Sequence, residues 1–176
     1  MLFRSDPPSG ISNNYLGNAA KQEVPNNVYR YDPKTKQVTV ATTGVVKRPN
    51  GLAFSPDESK LYVIESAEER FFYVFDVVDN GTKLANGRPF ITCEKDETPD
   101  GFRVDVEGNL WCGWGMSPTL DGVKVFNPAG KAIGFIALPE RAANLCFGGP
   151  KRNRLFMSAS HSVYSLYVNT QGALGG

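Results

Sequence analysis

The feature that most constrains this chain is an internal repeat. Three segments align on one template: PNGLAFSPDESKLYVIES from Pro49, PDGFRVDVEGNLWCGW from Pro99 and AANLCFGGPKRNRLFMSAS from Ala142. Their corresponding leucines are Leu61, Leu110 and Leu155, and the first two copies run on into a second pair of strand-forming segments. Self-similarity at a spacing of about 45 to 50 residues marks a chain made of one supersecondary unit, which buries its faces against neighbouring copies of itself.

That unit reads as β. Residues 71–75 (FFYVF), 109–112 (NLWC), 122–126 (GVKVF) and 163–168 (VYSLYV) concentrate aromatic and β-branched side chains between Gly, Pro, Asn and Asp. A sustained i, i+3, i+4, i+7 apolar pattern is missing, and proline or glycine interrupts almost every window of a dozen residues. SPDE after Phe54 and VEGN after Asp105 supply hairpin chemistry, and DPKTK and NPAGK serve as links between outer strands. Four antiparallel strands per repeat is the plan of a β-propeller blade. The expectation is therefore an all-β fold in one domain, residues 1–176.

Counting strands yields two complete blades and two incomplete ones. The N-terminal stretch offers a short strand at Leu2 to Arg4, then NVYRYD and QVTVAT, and so reads as a blade without its innermost strand. The last blade, which ends in SVYSLYVN, lacks an outermost strand. A strained ring of four blades is one solution. The broken first blade favours another: about 3.5 blades forming the C-terminal portion of a larger propeller.

In such a fold the first strand of each blade lies nearest the axis, so equivalent positions in successive first strands face a common channel. Asn50 and Asp100 hold that position. A carboxylate and an amide carbonyl are suitable ligands for a hard divalent cation, although Ca²⁺ takes about six to eight oxygens and two do not complete a shell. Asn-Gly and Asp-Gly are also common turn dipeptides, and locally the sequence leaves both readings open. In the third copy Asn144 is displaced into AANL, so the repeat does not force an Asn or Asp at every strand start.

The stretches DPPSGI, RPNGLAFSPDESKLYV, TPDGFRVDVEGNLWCGWG, LDGVKVFNPAGK and LPERAANLCFGGPKRNRLFMSAS together resemble the SMP-30/gluconolactonase/LRE family over nearly the whole chain. The ending SLYVNTQGA is similar to its gluconolactonase branch. The resemblance implies a six-bladed propeller that hydrolyses sugar lactones with a divalent metal, Ca²⁺ ahead of Mg²⁺ or Zn²⁺, held in the central channel by a Glu, an Asn and an Asp. The family's PNG asparagine falls on Asn50. Its PDG aspartate falls on Asp100, which the resemblance also makes the general base. The ligating Glu and a further channel Asn belong to segments upstream of Met1. Where the family has FTDPPYG this chain has FRSDPPSG, which alters the wall of the first blade.

Among the remaining polar and aromatic residues, Trp111 suits core packing, and Trp114 is a candidate to stack on a sugar ring at the channel mouth. Glu65 and Ser66, at the end of another second strand, are candidates for substrate hydrogen bonds or solvated loop positions. His161 is the only histidine and sits in SASHSVY, which suits a rim turn better than a catalytic base. No nucleophile elbow accompanies it, so a Ser-His-Asp triad has little support.

Nineteen Lys plus Arg against eighteen Asp plus Glu leave a formal +1, without a run of like charge to track nucleic acid or an anionic membrane. No apolar stretch is long enough for a spanning helix. Cys93, Cys112 and Cys146 stand singly inside apolar runs and are expected as buried free thiols, which weakly favours a reducing, cytoplasmic setting. The expected partner is a small sugar lactone. The competing readings are a non-catalytic propeller that serves as a binding platform, and a truncated product without function.

Overall fold

The computed structural model describes residues 2–12, 14, 17–42 and 44–174. These contain fourteen strands in four antiparallel sheets and a single 3-10 turn at Pro8–Gly10. The first sheet comprises β1 (Leu2–Ser5), β2 (Val28–Asp32) and β3 (Gln37–Val40). The second comprises β4 (Pro49–Phe54), β5 (Lys60–Glu65), β6 (Phe71–Val78) and β7 (Lys83–Thr92). The third comprises β8 (Phe102–Val104), β9 (Leu110–Trp114), β10 (Gly122–Phe126) and β11 (Ala132–Ala137). The fourth comprises β12 (Ala142–Gly148), β13 (Arg154–Ala159) and β14 (Val163–Tyr167). Within every sheet the strands pair in chain order, as meandering blades do. The inner strand β8 lies between β4 and β12, which places the three repeats side by side around one axis.

The middle strands β5, β9 and β10 read as nearly continuous apolar runs because both of their faces are covered. In β5, Leu61 and Val63 point into a cluster with Phe3, Val28, Val46 and Phe75, between the first and second sheets. The alternate residues Tyr62 and Ile64 point the other way, into a cluster with Phe72, Phe102, Leu110, Cys112, Trp114 and Phe126 between the second and third. A third cluster joins Val123 and Trp111 to Leu145, Leu155 and Met157 of the fourth sheet. The period-two geometry of a strand thus divides one apolar run between two interfaces, and the core is a series of layers between blades. Leu61, Phe72, Leu110 and Leu155 are fully enclosed, and each side chain of this kind contributes about 1.5–3 kcal/mol through burial.

Two aspartates organise the hairpins between inner and second strands. Asp105, wholly buried, accepts from the backbone N–H groups of Glu107 and Asn109, from the Asn109 amide and from the indole N–H of Trp111. Asp57 accepts from the Ser55 hydroxyl and from the backbone and hydroxyl of Ser59, and these bonds bring its carboxyl down to about 2. Near the C-terminus, Val106 N–H donates to Gln171 and Ala173 N–H to Val104, which ties the chain's last described segment to the inner hairpin of the third sheet. All three cysteines are free. Cys112 is buried and Cys93 half-buried, but Cys146 is exposed, contrary to the expectation from its apolar run. It lies on β12, where the fourth sheet turns one face outward.

Candidate active site at the blade axis

Asn50 and Asp100, fifty residues apart in sequence, meet where β4 and β8 adjoin. Asn50 Nδ2 donates to Asp100 Oδ1 at 3.0 Å. Neither residue lies in a turn. Asn50 is the second residue of β4, and Asp100 continues the line of β8, its N–H donating to Gly113 of β9. The turn reading of these dipeptides therefore fails.

The glycines beside them have a different purpose. Neither Gly51 nor Gly101 takes a positive φ. A Cβ on Gly51 would stand 2.5 Å from the backbone oxygen of Asp100, and one on Gly101 would stand 2.4 Å from Asn144 Oδ1. Only a residue without a side chain lets successive inner strands approach this closely.

Local irregularity aims the polar residues. The ladder between β4 and β5 pairs Pro49 with Glu65 and Leu52 with Val63, so β4 carries one residue more than its partner around Asn50 and Gly51. The same shift occurs in β12 between Ala142 and Asn144. In the third sheet Gly113 accepts from Asp100 N–H while its own N–H donates to Gly101, so Asp100 and Gly101 together face one partner residue. The spare N–H of Gly101 then donates to Ala143 of the next inner strand at 2.8 Å. Bulges of this kind re-aim side chains out of the regular pleat and are common beside active sites. In the third copy Ala143 takes the place corresponding to Asn50 and Asp100, and Asn144 lies over Gly101.

A residue that the sequence reading missed completes the cluster. Arg141, immediately before β12, donates from Nη2 to Asp100 Oδ2 at 2.7 Å. Both Asp100 oxygens are thus engaged, one by an amide and the other by a guanidinium. Burial raises the Asp100 carboxyl above its ordinary value, and Arg141, Asn50 and the Gly101 backbone offset this only in part. The available signal was positional: KRPNG and ERAAN both set a basic residue just ahead of an inner strand.

Two sequence candidates lie elsewhere. Trp114 is fully buried rather than at a channel mouth: it stacks on Phe72 at 6.4 Å between ring centroids, and Lys124 Nζ lies 4.8 Å from its own. The reason is strand parity, since Leu110, Cys112 and Trp114 share the face of β9 that packs on the second sheet. Glu65 is neither a free substrate ligand nor solvated. It is 4% exposed, and its carboxylate accepts from the backbone N–H groups of Lys47, Arg48 and Ala67, which fastens the approach to β4. Ser66 donates its hydroxyl to Arg48 O in the same fastening.

His161 lies in the turn between β13 and β14, its side chain 89% exposed. Its Nδ1 is 3.1 Å from Glu140 Oε2, which also accepts from the His161 backbone N–H, while Tyr164 donates to Oε1. Hydrogen bonding from Ser162, then from Tyr164 and His161, brings the Glu140 carboxyl from an ordinary 4.5 to about 2. A depressed carboxylate stabilises the fold above its unfolded value and loses that contribution as pH falls through its folded one. Glu140→Gln is therefore expected to be less stable than the parent at neutral pH, with the difference shrinking from about pH 4.5 and gone near pH 2. Urea unfolding of both proteins across that range measures it, and a gap independent of pH would show that the charge contributes nothing.

The profile of the SMP-30/Gluconolactonase/LRE-like region matches residues 11–161, and the chain belongs to that family. It is 33% identical to the gluconolactonase of Zymomonas mobilis, over 97% of this chain and 48% of that protein. The structure of a gluconolactonase from Xanthomonas campestris superposes with a TM-score of 0.82 at 34% identity, covering 94% of this chain and 52% of the other. A calcium-binding protein, regucalcin, from Agrobacterium tumefaciens shares the fold at a TM-score of 0.67 and 20% identity, over 84% of this chain and 53% of that one. The chain spans about half the length of the curated relatives it matches.

Proposed function

We propose that this chain carries the Asn–Asp side of a metal-dependent lactonase centre that opens sugar lactones. The observation behind the reading is the meeting of Asn50 and Asp100 at 3.0 Å across two inner strands, in a family whose named relatives include gluconolactonases. The donor set suits a hard cation: one carboxylate and one amide, both on backbone held by close strand contact. Among the described residues no group of three or more His, Cys, Asp and Glu side chains converges; on this reading Asn50 and Asp100 supply two oxygens toward a shell of about six to eight. Ca²⁺ is the favoured ion, with Mg²⁺ and Zn²⁺ as alternatives. A bound divalent ion would supply Lewis acidity toward a lactone carbonyl.

The chain's own residues have distinct tasks. Asp100 is the general base: its carboxylate takes a proton from the water that attacks the carbonyl carbon. The same proton then passes to the ring oxygen as the acyl–oxygen bond breaks, so water and lactone yield one hydroxy acid. Asn50 holds Oδ1 of the base and fixes its plane, which is a matter of positioning more than of proton transfer. Calcium-dependent release of acid on adding glucono-lactone to the 176-residue chain, above the spontaneous rate, is the expected result. Acid release no faster than in buffer, with or without Ca²⁺, would favour the binding-platform reading if the chain still binds Ca²⁺, and the reading of a chain inactive alone if it does not.

A further inference from the structure

The proposed centre leaves Arg141 unexplained, and its surroundings look built. The arginine stem crosses Gly115, where a Cβ would stand 2.5 Å from Arg141 Cγ, so this glycine makes room for the side chain. The next residue, Met116, holds a φ of 92°, a conformation that costs a non-glycine residue energy. That turn is held by Asp121, whose Oδ1 accepts from Met116 N–H at 3.0 Å. In this conformation Met116 Sδ receives Arg141 Nη1 at 3.2 Å, while Nη2 goes to Asp100 and the Nε of Arg141 is buried without a partner. A glycine, a strained methionine and an aspartate thus aim one guanidinium at Asp100 Oδ2.

We propose that Arg141 is a built-in rival cation that sets how tightly the Asn50–Asp100 pair takes a divalent ion; the proposal rests on the reading of that pair as metal ligands. Oδ1 of Asp100 is occupied by Asn50 and Oδ2 by Arg141. A divalent cation drawing on this carboxylate must either displace the guanidinium or bind beside its positive charge, and both weaken the complex. Arg141 is therefore a positioning residue: it keeps Asp100 aligned and holds cation affinity below what the same two ligands would give alone. A guanidinium suits this better than an ammonium, because its planar fork can bind the carboxylate and the sulfur at once.

Calorimetric titration of Ca²⁺ into the parent, Arg141→Met and Arg141→Lys tests the proposal without reference to turnover. Removing the charge is expected to tighten binding at least about tenfold, because like charges a few ångströms apart near a protein surface repel by more than the free energy of a tenfold change. The lysine variant, which keeps the charge, is expected to remain near the parent. Mere structural damage would move affinity in the opposite direction. Arg141→Gln reads the same change should methionine not be accommodated at the site. Equal or weaker Ca²⁺ affinity in a folded, charge-neutral variant overturns the role of Arg141 and leaves the metal-ligand reading in place. Absence of a single-site heat signal in the parent and every variant overturns both.

Discussion

Asp100→Asn is expected to abolish Ca²⁺ binding and to lower lactone hydrolysis at least about a hundredfold, the usual loss when a group central to acid–base or electrostatic catalysis is removed. The substitution keeps the side chain's shape and one acceptor oxygen, so β4 and β8 need not separate. What changes is charge and basicity. An amide cannot take a proton from water, and as a ligand it offers a neutral carbonyl in place of a carboxylate. It also leaves Arg141 without its counter-ion. The two side chains of the pair are 25% and 30% exposed, so the cost to stability is held to about 1–2 kcal/mol by solvent screening. Calorimetry for the ion, a pH-stat assay for acid release and a urea curve for the fold separate these effects. Retention of both binding and activity in a folded variant would remove Asp100 from the mechanism.

The contrast between Asp100 and Arg141 shows what the sequence could and could not yield. Asp100 was legible because the repeat supplies a frame: aligning PNG with PDG puts two residues at equivalent places, and blade geometry turns equivalence into proximity. Arg141 sits outside the strict repeat. A basic residue ahead of the inner strand marks its place, but its role arises from a contact between residues 100 and 141, which that position alone does not encode. The same limit explains Asn50-Gly51. As a dipeptide it has the chemistry of a turn, and only the backbone of Asp100, 2.5 Å from where a Cβ would lie, reveals that the glycine serves close packing.

Strand placement was easier to read because it rests on one-dimensional signals. Runs at 71–75, 122–126 and 163–168 match β6, β10 and β14, since aromatic and β-branched content with flanking breakers is a local property. Which face of a strand meets which neighbour is not local. Glu65 and Trp114 end strands at similar heights and so looked alike as channel-mouth candidates. One proved to fasten three backbone N–H groups, and the other to fill the space between blades. Cys146 was misplaced for the same reason: apolar neighbours in sequence do not ensure a covering sheet.

Trp114→Ala tests the layered core at its largest side chain and is expected to cost about 3–5 kcal/mol, as large-to-small changes at enclosed aromatics do. The indole touches Phe72 of the second sheet and Phe126 of the third, so its loss opens a cavity at the seam between two blades. For a chain of this length each kcal/mol lowers the melting temperature by about 2–4 °C, which makes a fall of about 6–20 °C the expected readout in a thermal scan. Trp114→Phe should lose less, within about 1.5 kcal/mol, because it retains an aromatic face for Phe72 and removes an indole N–H that has no hydrogen-bond partner. KM for lactone should be unchanged in the phenylalanine variant if the ring is core. A raised KM with unchanged stability would return Trp114 to the substrate, and would mean that the second and third blades part at this seam when the site is in use.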